Sequence, residues 1–117
     1  MTKNSHTIDA TGRSVGRIAS EAAKALMGKM SASYTPHIRS DVHVTIFNAG
    51  KVSVREKKQV RTVLTHYTGF HGGLRKTTPA RLAAKSGHGA VIRLAVRRML
   101  PRNTMLTARL KNLTITE

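Results

Sequence analysis

Apolar residues at Val15, Ile18, Ala19, Ala22, Ala23, Leu26 and Met27 recur at intervals of three and four, which lays one apolar stripe along a helix. Gly28 follows where a left-handed glycine commonly ends such a helix. On the polar side Arg17 and Glu21 stand one turn apart, with Lys24 beside them. Ahead of the helix, residues 7–10 read as a short strand closed by the turn pair Thr11-Gly12. Beyond it, Pro36 biases Thr35 away from helical backbone, so Tyr34 to His37 is extended or turning. Val42, Val44 and Ile46 then alternate with His43, Thr45 and Phe47, the period of a strand with at least one buried face, and Asn48-Ala49-Gly50 ends it.

The second half is less regular. After a short alternation at Val52 and Val54, Arg55-Glu56-Lys57-Lys58 reads as a basic turn, and the β-branched run over residues 60–67 as a third strand. Thr78-Pro79 is a helix start, an N-cap residue followed by proline at the first helical position. That helix runs to about Lys85 and stops at Gly87-His88-Gly89. The next spans residues 90–100, with Ile92, Val96 and Met99 on one stripe, and Pro101 ends it. Asn103 caps one further turn, and Leu113-Thr114-Ile115 is the last strand. The order β-α-β-β-α-α-β predicts an α/β fold, a partly parallel sheet with helices on its faces. The 117 residues make a single domain over 1–117 with a short flexible N-terminal segment at 1–6, long enough to bury about 65% of the unfolded surface.

Charge sharpens this picture. The chain has 21 Lys and Arg against five Asp and Glu, a formal net charge of +16, and residues 57–116 hold thirteen of those cations and no acid. A small soluble domain usually stays within about 2–8 charges of neutrality, because like charges repel when the chain compacts. The excess implies a polyanionic partner, nucleic acid first and an anionic membrane second. An enzyme for small acidic substrates needs only one cationic site, so it accounts poorly for cations spread over sixty positions. Tyr34, Phe47, Tyr67 and Phe70 are the only aromatic residues. The core is therefore aliphatic, and four scattered rings favour phosphate contact and shape recognition over a long stacking platform. Absence of cysteine excludes disulfides and thiolate zinc sites. No signal-peptide-like segment and no run approaching a membrane span appears, so the expected location is cytoplasmic.

Candidate chemistry follows from spacing. Thr11-Gly12-Arg13-Ser14-Val15-Gly16-Arg17 joins a strand to a helix start, where backbone N–H groups and the helix dipole hold phosphate, with Arg13 and Arg17 beside them. It lacks the dinucleotide and P-loop spacings, so a nucleotide cofactor is not expected. His66-Tyr67-Thr68-Gly69-Phe70-His71-Gly72-Gly73-Leu74-Arg75-Lys76 combines glycines with two following cations, which suits a loop laid against a phosphate backbone. A mobile hairpin-like loop with solvated charges is the alternative. Lys57 and Lys58 in the basic turn, and the cluster Arg93, Arg97, Arg98 and Arg102, add further phosphate-contact candidates. Neighbouring apolar residues are of ordinary core type, without the wedges of a membrane-surface helix. The six histidines have no metal-ligand spacing and no carboxylate companions, so neither a catalytic nor a metal site is expected, and His66 and His71 are read as phosphate or ribose contacts.

Taken together, these segments resemble the family of bacterial large-subunit ribosomal protein thirteen. The resemblance rests on Ile8-Asp9-Ala10-Thr11-Gly12-Arg13 with Val15-Gly16-Arg17, on Gly28-Lys29, Tyr34-Thr35-Pro36-His37, and Asp41 through Val44 to Asn48-Ala49-Gly50-Lys51. It continues in His66-Tyr67-Thr68-Gly69, Gly72-Gly73-Leu74, Ala95-Val96, Met99-Leu100-Pro101 and residues 111–115, in one order over about residues 7–116. The chain departs from the family pattern at Asn4-Ser5-His6, Ser40, Arg98 and Arg102-Asn103-Thr104. The resemblance implies a three-layer α/β domain with a four-stranded, mostly parallel sheet and helices on both faces. It implies a non-enzymatic constituent of the large ribosomal subunit that binds its rRNA, joins assembly early and adjoins other ribosomal proteins, with no cofactor, small-molecule substrate or membrane. Matched positions carry RNA contacts to Arg13, Lys29, His37, Lys51, His66, Thr68, Gly69, Gly72 and Gly73, with Arg75 or Lys76 at the basic position that follows. It also places the double glycine against RNA, which favours close approach over positive φ as the reason for it. The rival readings are a DNA-compacting protein and a nucleotide-binding transferase using residues 11–17.

Overall fold

The computed structural model describes residues 4–117. Its elements are β1 (Ser5–Asp9), α1 (Val15–Met27), β2 (His43–Phe47), α2 (Glu56–Arg61), β3 (Leu64–Tyr67), β4 (Leu74–Thr77), α3 (Pro79–Ser86), α4 (His88–Met99), α5 (Leu106–Lys111) and β5 (Leu113–Ile115), with a 3-10 turn at Ala49–Lys51. Strands β1, β2 and β5 form a parallel sheet in the order β1-β2-β5, and β3 and β4 form a separate antiparallel pair. The expected four-stranded sheet is thus three-stranded among the described residues. Within the expected flexible segment, residues 1–3 lie outside the described residues, and Ser5 and His6 already belong to β1.

Register explains why the helices do not cover both faces. Ile8 lies opposite Ile46, and Val44 and Ile46 lie opposite Leu113 and Ile115. Ile8, Val44, Ile46 and Leu113 are buried on that face, packed with Ile18, Ala22, Ala23 and Leu26 of α1 and Ile92 and Val96 of α4. Small residues on α1 let it approach α4 and the sheet closely, so the core is wholly aliphatic. The opposite face carries Ser5, Thr7, Asp9, His43, Thr45, Phe47 and Thr114, with Thr7, Thr45 and Thr114 in one cross-strand row. These are exposed or half-buried. Such a polar face offers no helix an apolar stripe to pack on, so the body has two layers, in keeping with a Cα extent of only 18 Å in its thinnest direction.

Local signals account for most boundaries. Gly28 ends α1 in the left-handed region at φ 82°, its N–H bonding Ala25 O while Lys29 N reaches Lys24 O. Thr78 caps α3, its hydroxyl oxygen accepting from Arg81 N at 3.3 Å. Asn103 Oδ1 accepts from Met105 N at 3.1 Å just before α5, the further turn its position suggested. The predicted strand over 60–67 is instead the end of α2 followed by the shorter β3. Lys58 N and Gln59 N both bond Arg55 O, which starts a helix through the basic segment and carries Val60 with it. Helix α4 begins at His88 rather than 90, because Gly87 turns the chain at φ 84° and Gly89 N donates to Glu117 Oε1 at 2.8 Å. Met99, expected on the core stripe, is 45% exposed, and Leu100 is buried in its place.

Two polar junctions hold the ends of the sheet. Asp9 Oδ1 accepts from Thr11 N, Thr11 Oγ1 and Asn48 Nδ2 at 3.0, 2.8 and 3.1 Å. These donors, with the nearby Lys51 charge, hold the Asp9 carboxyl down to about 2. At the far edge, Arg93 donates Nη1 to Leu110 O at 3.3 Å and Nη2 to Leu113 O at 3.0 Å, fastening α5 and β5 to α4. Replacing Arg93 with alanine leaves those carbonyls without their donor and is expected to cost about 1–3 kcal/mol, read as a lower thermal midpoint. An unchanged midpoint would show that the clamp holds nothing.

Acid should act on the same body. Asp9 titrates below its unfolded value, and Glu21 is likewise lowered by hydrogen bonds from Arg13 and His6. The folded state therefore takes up protons less readily than the unfolded chain, so stability present above about pH 4 is lost as pH falls toward about 2. Thermal melts across this window should show a falling midpoint, flattened in the double variant Asp9→Asn with Glu21→Gln. A wild-type midpoint that stays level through the window contradicts this assignment.

Candidate nucleic-acid interface

The turn before α1 and the segment after β2 are zipped together: Gly12 N bonds Lys51 O, Ser53 N bonds Arg13 O, both at 3.0 Å, and Ser14 bridges Ser53. Between them lies a groove of about 690 Å³ lined by Gly12 to Arg17, Ser53 to Arg55 and Lys58. Arg17, Arg55 and Lys58 are exposed, and none of them forms an ion pair among the described residues. Ser14 caps no N–H with its side chain and the first turn of α1 holds no acid, so the positive end of the helix faces this groove uncompensated. Arg13 behaves differently from its neighbours. Its Nη2 lies 2.7 Å from Glu21 Oε2, and Glu21 Oε1 also meets His6 Nε2 at 3.1 Å. Arg13 is therefore tied to the body, and Arg55, which sequence reasoning passed over inside a supposed turn, takes its place in the groove.

A second groove, of about 530 Å³, forms where the β3–β4 hairpin meets the C-terminal end of α4. Thr65, His66, Arg97, Arg98, Arg102 and Asn103 line it over Leu94 and Leu106. Arg98 Nη2 donates to Thr65 O at 3.4 Å, near the limit of a hydrogen bond, so it tethers the hairpin base only lightly. Arg75 lies directly opposite His66 on the hairpin, though it does not line the groove. Lys76 pairs with Thr65 on the other hairpin face.

Between the strands, Thr68 N bonds Gly73 O at 3.2 Å and Gly73 N bonds Phe70 O at 3.0 Å, closing a tight turn. Gly69 and Gly72 adopt φ of 90° and 69°, in the region that favours glycine. A Cβ on Gly73 would overlap Thr68 Oγ1 and come within 2.9 Å of Phe70 O. Turn geometry alone thus accounts for the double glycine, with positive φ at Gly72 and crowding within the loop at Gly73. Thr68, His71 and the whole tip are exposed except for the half-buried Gly73.

The remaining candidates are dispersed. Lys57 is exposed on α2 next to Lys58, and Lys51 sits beside Asp9 at the first groove's edge. Lys29 lies past the far end of α1, its Nζ 5.8 Å from the Tyr34 ring centre, and His37 is exposed in the loop beyond. Arg93 lies outside both grooves, committed to its two carbonyls. Arg109, on α5, is only 2% exposed and adds nothing to the surface. Charge alone could not separate these arginines from those in the grooves.

Among the described residues, no group of three or more His, Cys, Asp or Glu is placed to hold a metal ion, and no helix is long and apolar enough to cross a membrane. What the surface does offer is cationic grooves and a glycine-shaped hairpin on a two-layer α/β body. Residues 3–117 match the model of ribosomal protein L13, and the chain belongs to that family of structural, non-enzymatic proteins of the large ribosomal subunit.

Proposed function

We propose that this protein binds large-subunit rRNA through its two basic grooves and the hairpin between them in sequence, and that it acts early in subunit assembly in the cytoplasm. Its partners are rRNA and neighbouring ribosomal proteins. It needs no cofactor, small-molecule substrate or membrane. The observation that carries this reading is the second groove, where His66, Arg97, Arg98 and Arg102 converge with no carboxylate between residues 57 and 116 to neutralise them. Phosphates entering that groove replace condensed counterions, which supplies the driving force for association. Arginine forks favour paired contacts with phosphate oxygens, while hairpin backbone fixes orientation. Arg17, Arg55, Lys58, Lys57 and Lys51 do the same work at the first groove. Lys29 and His37 extend contact to the opposite end of α1, and Arg13 supports the groove through Glu21.

Binding of the purified chain to large-subunit rRNA stripped of protein, without any other ribosomal protein present, tests both the RNA contact and the early role. The affinity should fall steeply with salt. The triple variant Arg97→Ala, Arg98→Ala, Arg102→Ala should lose about 2–3 units of log–log salt slope, at roughly 0.7–0.9 per phosphate contact. Its thermal midpoint should barely move, because all three side chains are exposed. An unchanged slope would remove the second groove from the interface.

A further inference from the structure

Among the described residues no ring enters the core, which consists of Ile, Leu, Val and Ala side chains. Two of the four aromatic residues stand on the β3–β4 hairpin instead. Tyr67 is 63% exposed, Phe70 76%, and Leu74, directly opposite Tyr67 in register, 54%. Phe70 opens the turn closed by its own carbonyl and Gly73 N, so the glycine geometry holds it at the tip. We propose that Tyr67 and Phe70 stack on unpaired bases of the bound RNA, so that the hairpin reads exposed bases while the grooves hold phosphates. The inference rests on the RNA-binding reading above and adds a second kind of contact to it.

Charge selects the occupant. His66, His71, Arg75 and Lys76 flank the rings along the hairpin sequence, and no acid lies anywhere from residue 57 to 116. An apolar protein surface docking here would have to carry an acidic rim. An RNA loop or bulge brings its own phosphates with its bases. Paired A-form RNA hides base faces within the stack, so bases available to rings on a projecting hairpin are unpaired ones. The Tyr67–Leu74 pair offers a flat ring backed by an aliphatic neighbour, and Phe70 offers a second ring one turn beyond it.

The chain contains no tryptophan, so Phe70→Trp places a single fluorescent reporter at the tip of the full-length protein. With naked large-subunit rRNA, the indole emission of this variant should be quenched and shielded from acrylamide. Phe70→Ala and Tyr67→Ala should each weaken binding roughly 5- to 150-fold, the range for loss of one stacked base, without changing the salt slope. Phe70→Leu keeps an apolar tip and the turn, yet should weaken binding nearly as much as alanine. Wild-type affinity in Phe70→Leu, or unquenched emission on RNA bound at normal affinity, overturns the stacking proposal and leaves the groove reading intact. Protection of the indole that appears only when another ribosomal protein joins the complex also overturns it, assigning the rings to a protein partner. Failure of the wild-type chain to bind rRNA at all would instead remove the reading beneath both.

Discussion

Five carboxylates must serve a chain with 21 cations, and where those five are placed governs everything else in the structure. Asp9 holds the turn that joins β1 to α1, and Glu21 draws in Arg13 and His6. Asp41 meets Arg39 at 3.2 Å, Glu56 sits in the first turn of α2, and Glu117 bonds the backbone at the start of α4. Four are engaged in local junctions and the fifth complements a helix terminus. None is left to neutralise the hairpin or the C-terminal end of α4. Glu117 bonds Gly89, which lies eight and nine residues before Arg97 and Arg98, about 12–14 Å along the helix. At roughly 8 Å, the physiological Debye length makes that separation too great for compensation through solvent. The negative end of the α4 dipole offers its last-turn arginines some relief, typically about 0.3–1 kcal/mol. That is modest beside repulsion among several close guanidinium groups, so an external polyanion is the natural counter-charge.

The one-sided sheet explains how those cations come to be presented. With a single apolar face, β1, β2 and β5 need only α1 and α4 to complete their burial, and the core closes without help from residues 56–87. Neither α2 nor α3 contains a buried residue, and six of the eight positions in β3 and β4, all but Leu64 and Thr77, are exposed. Helix α3 packs against α4, but the hairpin is held by its own turns and by light tethers such as Arg98 to Thr65. Its surface is consequently available for recognition, because little folding free energy depends on what its side chains touch.

How far the sequence could be read follows the same division. Helix α1 was legible to the residue because its apolar period is complete and Gly28 takes up the left-handed conformation at its end. The facing of β2 was legible from strict alternation, though not its pairing partners. Val60 misled because β-branched preference presumes a half-buried pleated surface, whereas here it is 70% exposed on a helix. Strand β4 left no signal, since a hairpin exposed on most positions needs no alternation of polar and apolar residues. At the candidate site, the basic and glycine-rich character of each segment was visible. The meeting of His66 with Arg97, Arg98 and Arg102 was not, because it depends on how the hairpin base packs against α4. Arg93 shows the converse: taken as a phosphate contact, it clamps two carbonyls instead, while Arg109, which the sequence reading passed over, is buried.

Two surfaces are left uncovered, and they are not equivalent. The open sheet face is lined mainly by threonine, serine, aspartate and histidine, which water solvates without penalty, with Phe47 its one ring, so its exposure alone calls for no partner. The hairpin tip exposes rings and a leucine that water solvates poorly. A turn needing glycine at positive φ could have been built around a polar first residue equally well, since Phe70 contributes only its carbonyl to closing it. The turn explains the glycines; it does not explain the ring. Cations alone would bind any RNA of sufficient phosphate density. Adding apolar rings that reach only unpaired bases converts a general affinity into a preference for particular RNA shapes, and it does so through a contact that salt does not weaken.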